Sequence, residues 1–349
     1  MKKQSLADKL AQKSFSSPEI QKSWAIHMQA FGPILNPAFP DDYQSRVHLC
    51  AALNHISARN LPQALLKLNG LQKRLQTDAD KAAFLFCMGL LCETAGKKEE
   101  MVALYSQANT FGHTFYLPYL KVAKFYLDNC GYEQAEENYR AAIGCFTATG
   151  LSDSEKVILG SAHANLSSCL VMMHRYDEAD AALTTSRSLC PDAPGRAAPE
   201  AVLHAVRGNR EQADACLNIL KSHAPAAYDS IKKSTDKILA GTDPLFFPVP
   251  VEEEKITLFW DWFAENSQDL TKRLDQEEYE AAMTAIAGHL LEAFPFLEEP
   301  PFVAFGKNDA GYVIQLKDMF AIGVIDAYDK LLMACPEDVM ADWQFDVVH

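Results

Sequence analysis

Three carboxylates, Asp261, Glu265 and Asp269, recur at four-residue intervals, a spacing that sets all three on one face of a helix. Such a stripe suits a cationic partner or a weakly held divalent ion, and it equally suits a solvated helix face. Glu252, Glu253 and Glu254 fit the start of that helix, where negative charge meets the positive end of the dipole. The other reactive side chains do not converge. The 10 histidines are dispersed, and none has a histidine three or four positions away with which to share a ligand face. The 9 cysteines contain no Cys-x-x-Cys pair and fall mostly on apolar helix positions, which predicts reduced thiols rather than a disulfide frame or a zinc site. No Gly-x-Gly-x-x-Gly, P-loop, Gly-x-Ser-x-Gly or His-Glu-x-x-His motif is present. The sequence therefore predicts no catalytic residue, no metal site and no cofactor.

At 349 residues, 48% hydrophobic and 22% charged, the chain has the composition of a globular protein of two or three domains. No uninterrupted apolar run approaches the length of about 18 residues that would span a bilayer. Met1-Lys2-Lys3 begins like a targeting segment, but Asp8, Lys9 and Lys13 interrupt the place of its apolar core, and a lead-in helix is expected instead. With the unpatterned cysteines, this predicts a cytoplasmic protein, and a bacterial one. The net charge of −14 is uneven. Leu245 to His349 holds 6 Lys and Arg against 21 Asp and Glu, leaving 26 against 25 for the rest. A tail of that sign disfavours nucleic acid and anionic membrane as its ligands.

What positions side chains in the longer, neutral part is a repeat. Ala64, Met101, Ala135, Ala179 and Ala213 follow one another at steps of 37, 34, 44 and 34 residues. Each is followed by a large apolar or aromatic residue four positions on and by another, mostly small or apolar, residue seven positions on. Small residues let two helices cross closely, and an aromatic or leucine fills the groove between them. The runs Tyr176-Asp177-Glu178-Ala179 and Tyr132-Glu133-Gln134-Ala135, with Pro191 and Pro225 closing second helices, resemble the tetratricopeptide repeat over residues 43–225. The departures are Met101 in place of alanine, His163, Tyr119 and Ala197 at the offset of the family's large residue, and extra length from Thr147 to Lys156. Ser152-Asp153-Ser154 in that insertion is expected to be a helix N-cap.

The resemblance implies a mainly α, superhelical stack of helix pairs whose first helices line a concave, ligand-binding face. Counting from the small residue of each first helix, the inward positions are Arg46, Cys50, Leu53 and Ser57, then Ala83, Cys87, Leu90 and Thr94. They continue as Leu117, Lys121, Lys124 and Asp128, then Ser161, Asn165, Ser168 and Met172. Asn165 occupies the position from which an asparagine in peptide-clamping members bonds the ligand backbone. Lys121 and Lys124 are placed to meet a carboxylate. Leu117, Ser168 and Met172 complete the expected peptide site.

Ser17-Pro18-Glu19 predicts a helix start, with Gly32-Pro33 stopping that helix near Phe31 and a rigid connector following at Asn36 to Pro40. Residues 1–42 are thus N-terminal helices and connector, 43–241 the repeats with a capping helix from Pro225, 242–251 a proline-punctuated linker, and 252–349 an acidic domain. In that domain the order predicted is two helices, two strands, a helix and a strand. Its strands cover Pro300–Phe305, Tyr312–Leu316 and the Trp343-x-Phe345 segment, with a turn from Gly306 to Gly311. This arrangement resembles small bacterial α+β domains with a tryptophan-rich first helix. The function implied is non-catalytic protein or peptide binding. The alternatives are an enzymatic or regulatory C-terminal domain served by the repeats, and a groove filled by the chain's own linker or acidic domain.

Overall fold

The computed structural model describes residues 6–112, 115–146, 150–308 and 311–348. Two N-terminal helices, α1 (Leu6–Phe15) and α2 (Pro18–Leu35), precede the repeats. Five helix pairs follow: α3 (Tyr43–Ser57) with α4 (Leu61–Asn69), α5 (Asp78–Thr94) with α6 (Lys98–Phe111), α7 (Tyr116–Asp128) with α8 (Tyr132–Gly144), α9 (Asp153–Met172) with α10 (Tyr176–Leu189), and α11 (Ala197–Val206) with α12 (Arg210–His223). Helix α13 (Pro225–Leu239) packs on α11 and α12, its Tyr228 and Ile231 against Ala197, Ala201 and Leu217. The C-terminal part comprises α14 (Glu253–Asp275), α15 (Tyr279–Ala293), β1 (Val303–Asn308), β2 (Gly311–Lys317), α16 (Ile322–Met333), α17 (Glu337–Asp342) and β3 (Trp343–Val348). The fold is a tetratricopeptide-like stack of helix pairs followed by a small α+β region.

The repeat register appears in the backbone as well as in the side chains. Arg59, Gly96, Cys130, His174 and Gly208 all have left-handed φ, between 56° and 77°. Each lies five residues before one of the five crossing residues, so the steps between them are the same. In every case the next residue donates its N–H to the carbonyl five back, for example Asn60 to His55 and Asn209 to His204, both at 2.8 Å. That bond closes the first helix and turns the chain directly into the second. The second helix then seats its small residue: Ala64, Ala135, Ala179 and Ala213 are 0% exposed. Facing Met101, the first helix supplies the close approach instead. A Cβ on Gly89 would lie 2.5 Å from the Tyr105 ring.

Local capping also follows sequence chemistry. Thr77 and Asp80 form a reciprocal capping box at α5, and Ser152 with Glu155 forms another at α9. Residues 147–149 of the predicted insertion, and Met1 to Ser5 of the lead-in, lie outside the described residues. Gly32-Pro33 does not end α2. The helix breaks at Phe31 (φ −131°) and resumes to Leu35, because a proline is compatible with the first turn of a new helical segment.

The chain divides into two compact units, Met1–Cys169 with Ala182–Ala193, and Leu170–Ala181 with Pro194–His349. In the second, β2 pairs antiparallel with β1 and parallel with β3. The predicted turn from Gly306 to Gly311 is shorter than expected, because Gly306 to Asn308 and Gly311 are ladder residues; Asp309 and Ala310 lie outside the described residues. Gly311 permits the hairpin to approach α17, since a Cβ there would meet the Asp342 carbonyl at 2.7 Å. Helix α17 is an element additional to the predicted order. The aromatic residues meet one another: Trp260 stands edge-on to Phe345 at 5.1 Å and Phe263 to Trp343 at 5.2 Å, while the Trp260 indole donates to the Leu331 carbonyl at 2.9 Å. The proline-rich segment is packed within this unit. Asp243 and Phe246 are buried, and the carbonyls of Pro244 and Leu245 accept from Gly323 and Ile322 at 2.8 and 3.3 Å.

Gly89→Ala must push back a fully buried Tyr105 ring, and overpacking of that kind costs about 1–3 kcal/mol. Denaturant titration is expected to show the lower midpoint; an unchanged midpoint would place the close crossing elsewhere.

Candidate functional site

The expected inner positions lie on the first helix of each pair, and the described side chains there are covered in one part and accessible in another. Helix α2 packs against α3, α5 and α7, the first helices of three successive pairs. Arg46 and Cys50, predicted to face a ligand, instead face the chain's own N-terminal segment. The Arg46 guanidinium lies 5.9 Å from the centre of the Trp24 ring and its Nε donates to the Phe39 carbonyl at 2.9 Å. The Cys50 sulfur lies 3.4 Å from the Ser23 hydroxyl. Leu53, Ala83, Cys87 and Leu90 are buried. Of the positions expected to face a ligand on the first two pairs, Arg46 and Cys50 therefore meet α2 instead.

Beyond that helix the predicted site is more accessible. Lys121 is paired to Glu93 of α5 at 2.8 Å, and Glu93 also accepts the Tyr105 hydroxyl at 2.8 Å. Burial, and then Glu93, hold the Tyr105 phenol far above its ordinary range, so it remains a donor. Lys124 is exposed and pairs with Asp128 one turn on. Leu117 is half-buried against the first core, leaving an apolar edge beside the two lysines.

On α9, Asn165 is half-buried, and the buried Tyr139 hydroxyl makes no hydrogen bond among the described residues. Burial raises that phenol, and Asn165 acts in the opposite direction. Ser168 donates weakly to the Ala164 carbonyl at 3.4 Å, and Met172, half-buried, ends the same helix in the second compact unit. Among the described residues, no hydrogen bond or ion pair joins Asn165 or Ser168 to either lysine. Glu93 and Tyr105, which engage Lys121, were not legible as site residues: the pairing spans 28 positions of sequence and no local pattern marks it.

The other reactive groups occupy different settings. Asp261, Glu265 and Asp269 lie on the exposed side of α14, with Asp269 paired to Arg273. No disulfide joins the cysteines of the described residues, and burial pushes the thiols of Cys87 and Cys169 up to about 12. Among the described residues no group of three or more His, Cys, Asp and Glu side chains could hold a metal ion, and no helix is long and apolar enough to cross a membrane.

No protein-family profile matches the sequence, and no curated protein matches it. Among solved structures, "MamA AMB-1" is similar over 53% of this chain and 94% of its own, at 15% identity and a TM-score of 0.39. "MamA MSR-1" is similar over 55% of this chain and 98% of its own, at 14% identity and a TM-score of 0.38. The fold assignment given above rests on the helix register itself.

His163, at the large-residue offset of α9, is lowered below the usual imidazole range by burial and then by Arg140. A depressed folded-state value means the unfolded chain binds the proton more readily, so this contribution is present above the unfolded pKa of about 6.5 and is lost as pH falls through it toward the folded value. His163→Phe is expected to flatten the fall in stability between about pH 7 and pH 5.5. Denaturant titrations at the two pH values check this, and an unaltered slope would remove His163 from the account.

Proposed function

We propose that the chain is a non-catalytic scaffold that binds a protein or peptide on the concave face of its helix pairs, with Lys121, Lys124 and Asn165 as the polar centre. Leu117 and Ser168 supply the adjoining contacts. The observation that carries this reading is the accessibility of mixed polar and apolar side chains on the inner positions of α7 and α9, where five of the eight corresponding positions of α3 and α5, Cys50, Leu53, Ala83, Cys87 and Leu90, are buried. Recognition surfaces need that mixture, apolar area for affinity and a few directional groups for orientation.

The internal ion pairs do not stand against a ligand. Exposed pairs of this type are worth only about 0–1 kcal/mol, so an incoming carboxylate can replace Glu93 or Asp128 at small cost. Glu93 keeps the Tyr105 hydroxyl when it loses the lysine. The repeats over 43–241 are the proposed recognition part of a cytoplasmic protein, and 252–349 is an acidic region whose charge disfavours nucleic acid and membrane surfaces.

Full-length chain used as bait identifies a partner, and calorimetry then compares the wild type with the Lys121→Met, Asn165→Ala double variant. Loss of a charged contact together with a backbone contact is expected to weaken binding by about 1.5–3 kcal/mol or more. Circular dichroism confirms that the variant is folded. Undiminished affinity in the folded variant would move the site off the concave face.

A further inference from the structure

We infer that the inner face of the first three pairs is a helix-binding groove, that α2 is its displaceable resident, and that the partner it takes is an amphipathic helix with α2's pattern of side chains. This rests on the concave-face reading and specifies the ligand class for part of that face. Helix α2 is not a member of a pair: it lies against three first helices at once. Its inward residues are Trp24, Met28, Phe31 and Leu35, which follow one another at four, three and four positions. That is the anchor spacing of a helix lying in a groove. Phe31 meets Phe86 edge-on at 5.6 Å. Polar readout accompanies the apolar anchors, since Asn54 bonds the Ser23 hydroxyl at 2.6 Å and the buried His27 ring at 2.9 Å.

The hold on α2 is local and tethered. The helix is broken at Phe31, and Ile26 on its outer side is 59% exposed. A single helix of this length has little stability of its own in water, so it opens when its groove contacts open. The connector that follows is fixed separately, by the Phe39 N–H to buried Asp80 at 2.7 Å and the Phe39 carbonyl to Arg46. When α2 lifts, it therefore remains beside the groove, at an effective concentration of about millimolar, and a partner helix must outcompete it.

The probe is a fluorescent synthetic peptide spanning residues 16–36, titrated into full-length protein. Wild-type chain is expected to bind it weakly, and Trp24→Ala, Phe31→Ala chain at least about tenfold more tightly, because its own α2 competes less. A third variant adds Ser23→Cys to that pair, placing a thiol beside Cys50. Oxidation, which ties α2 down, is expected to abolish peptide binding, and reduction to restore it. Hydrogen exchange on wild-type chain is expected to show α2 amides opening faster than those of α3 and α5. Equal peptide binding by wild-type and folded variant chains, no binding by either, or α2 amides exchanging only with global unfolding would each overturn the inference. The outcome is distinguishable from failure of the wider reading: the Lys121, Asn165 variant tests residues that the α2 peptide pattern does not invoke.

Discussion

The molecule depends on one backbone constraint, the left-handed residue that closes each first helix and sends the chain straight into the second. Three of the five such positions carry Arg59, Cys130 and His174, for which this conformation costs about 1 kcal/mol or more relative to glycine. The cost is offset where it arises. The closing hydrogen bond, five residues back, satisfies a helix-end carbonyl that would otherwise be left without a partner. His174 is held further, with its Nε2 at 2.6 Å from the Phe320 carbonyl and its Nδ1 at 2.8 Å from the Tyr176 hydroxyl. Because the turn is fixed, the crossing point is fixed five residues later, and only a small residue or an opposing glycine fits there.

The inner face is a consequence of that geometry. With every second helix packed on its own first helix, the proposed ligand-facing side chains come from first helices, on α3, α5, α7 and α9. The first two of these bury aromatic and aliphatic side chains under α2, whereas α7 and α9 carry lysine, asparagine and serine at corresponding positions. One architecture thus provides an apolar groove and a polar surface in succession. The difference between them lies in the side chains, not in the backbone.

The pairs were legible because small residues and the tyrosines beside them recur in register, which is a local signal. Left-handed residues other than Gly96 and Gly208 were not legible, since arginine, cysteine and histidine carry no marker for that conformation. The N-terminal helix was readable from Ser17-Pro18-Glu19, but its place was not. An apolar stripe through Trp24, Met28 and Phe31 fits any apolar surface, and contacts such as Ser23 with Asn54 span 31 positions. The same limit applies to the site. Lys121 lies on a first helix, as its register implied, while its engagement by Glu93 depends on how two successive first helices approach. In the C-terminal region the aromatic residues announced the core, and the hairpin proved tighter than its six turn-like residues suggested because Lys307 and Asn308 pair across it.

Under the proposed function, the pairing of the lysines would shape what the polar surface selects. A lone ammonium on a groove would attract any anion, whereas Lys121 already has a carboxylate of its own. A ligand gains only the difference between its contact and the one it replaces, so a poorly aligned carboxylate gains almost nothing. Replacement is cheap for Glu93 because Tyr105 continues to donate to it, and a buried phenol that stays protonated cannot withdraw that support at neutral pH. Under the proposed function the pair would therefore discriminate by geometry rather than by charge, exchanging Glu93 for the carboxylate of a partner whose apolar side chains have already fixed it over α7.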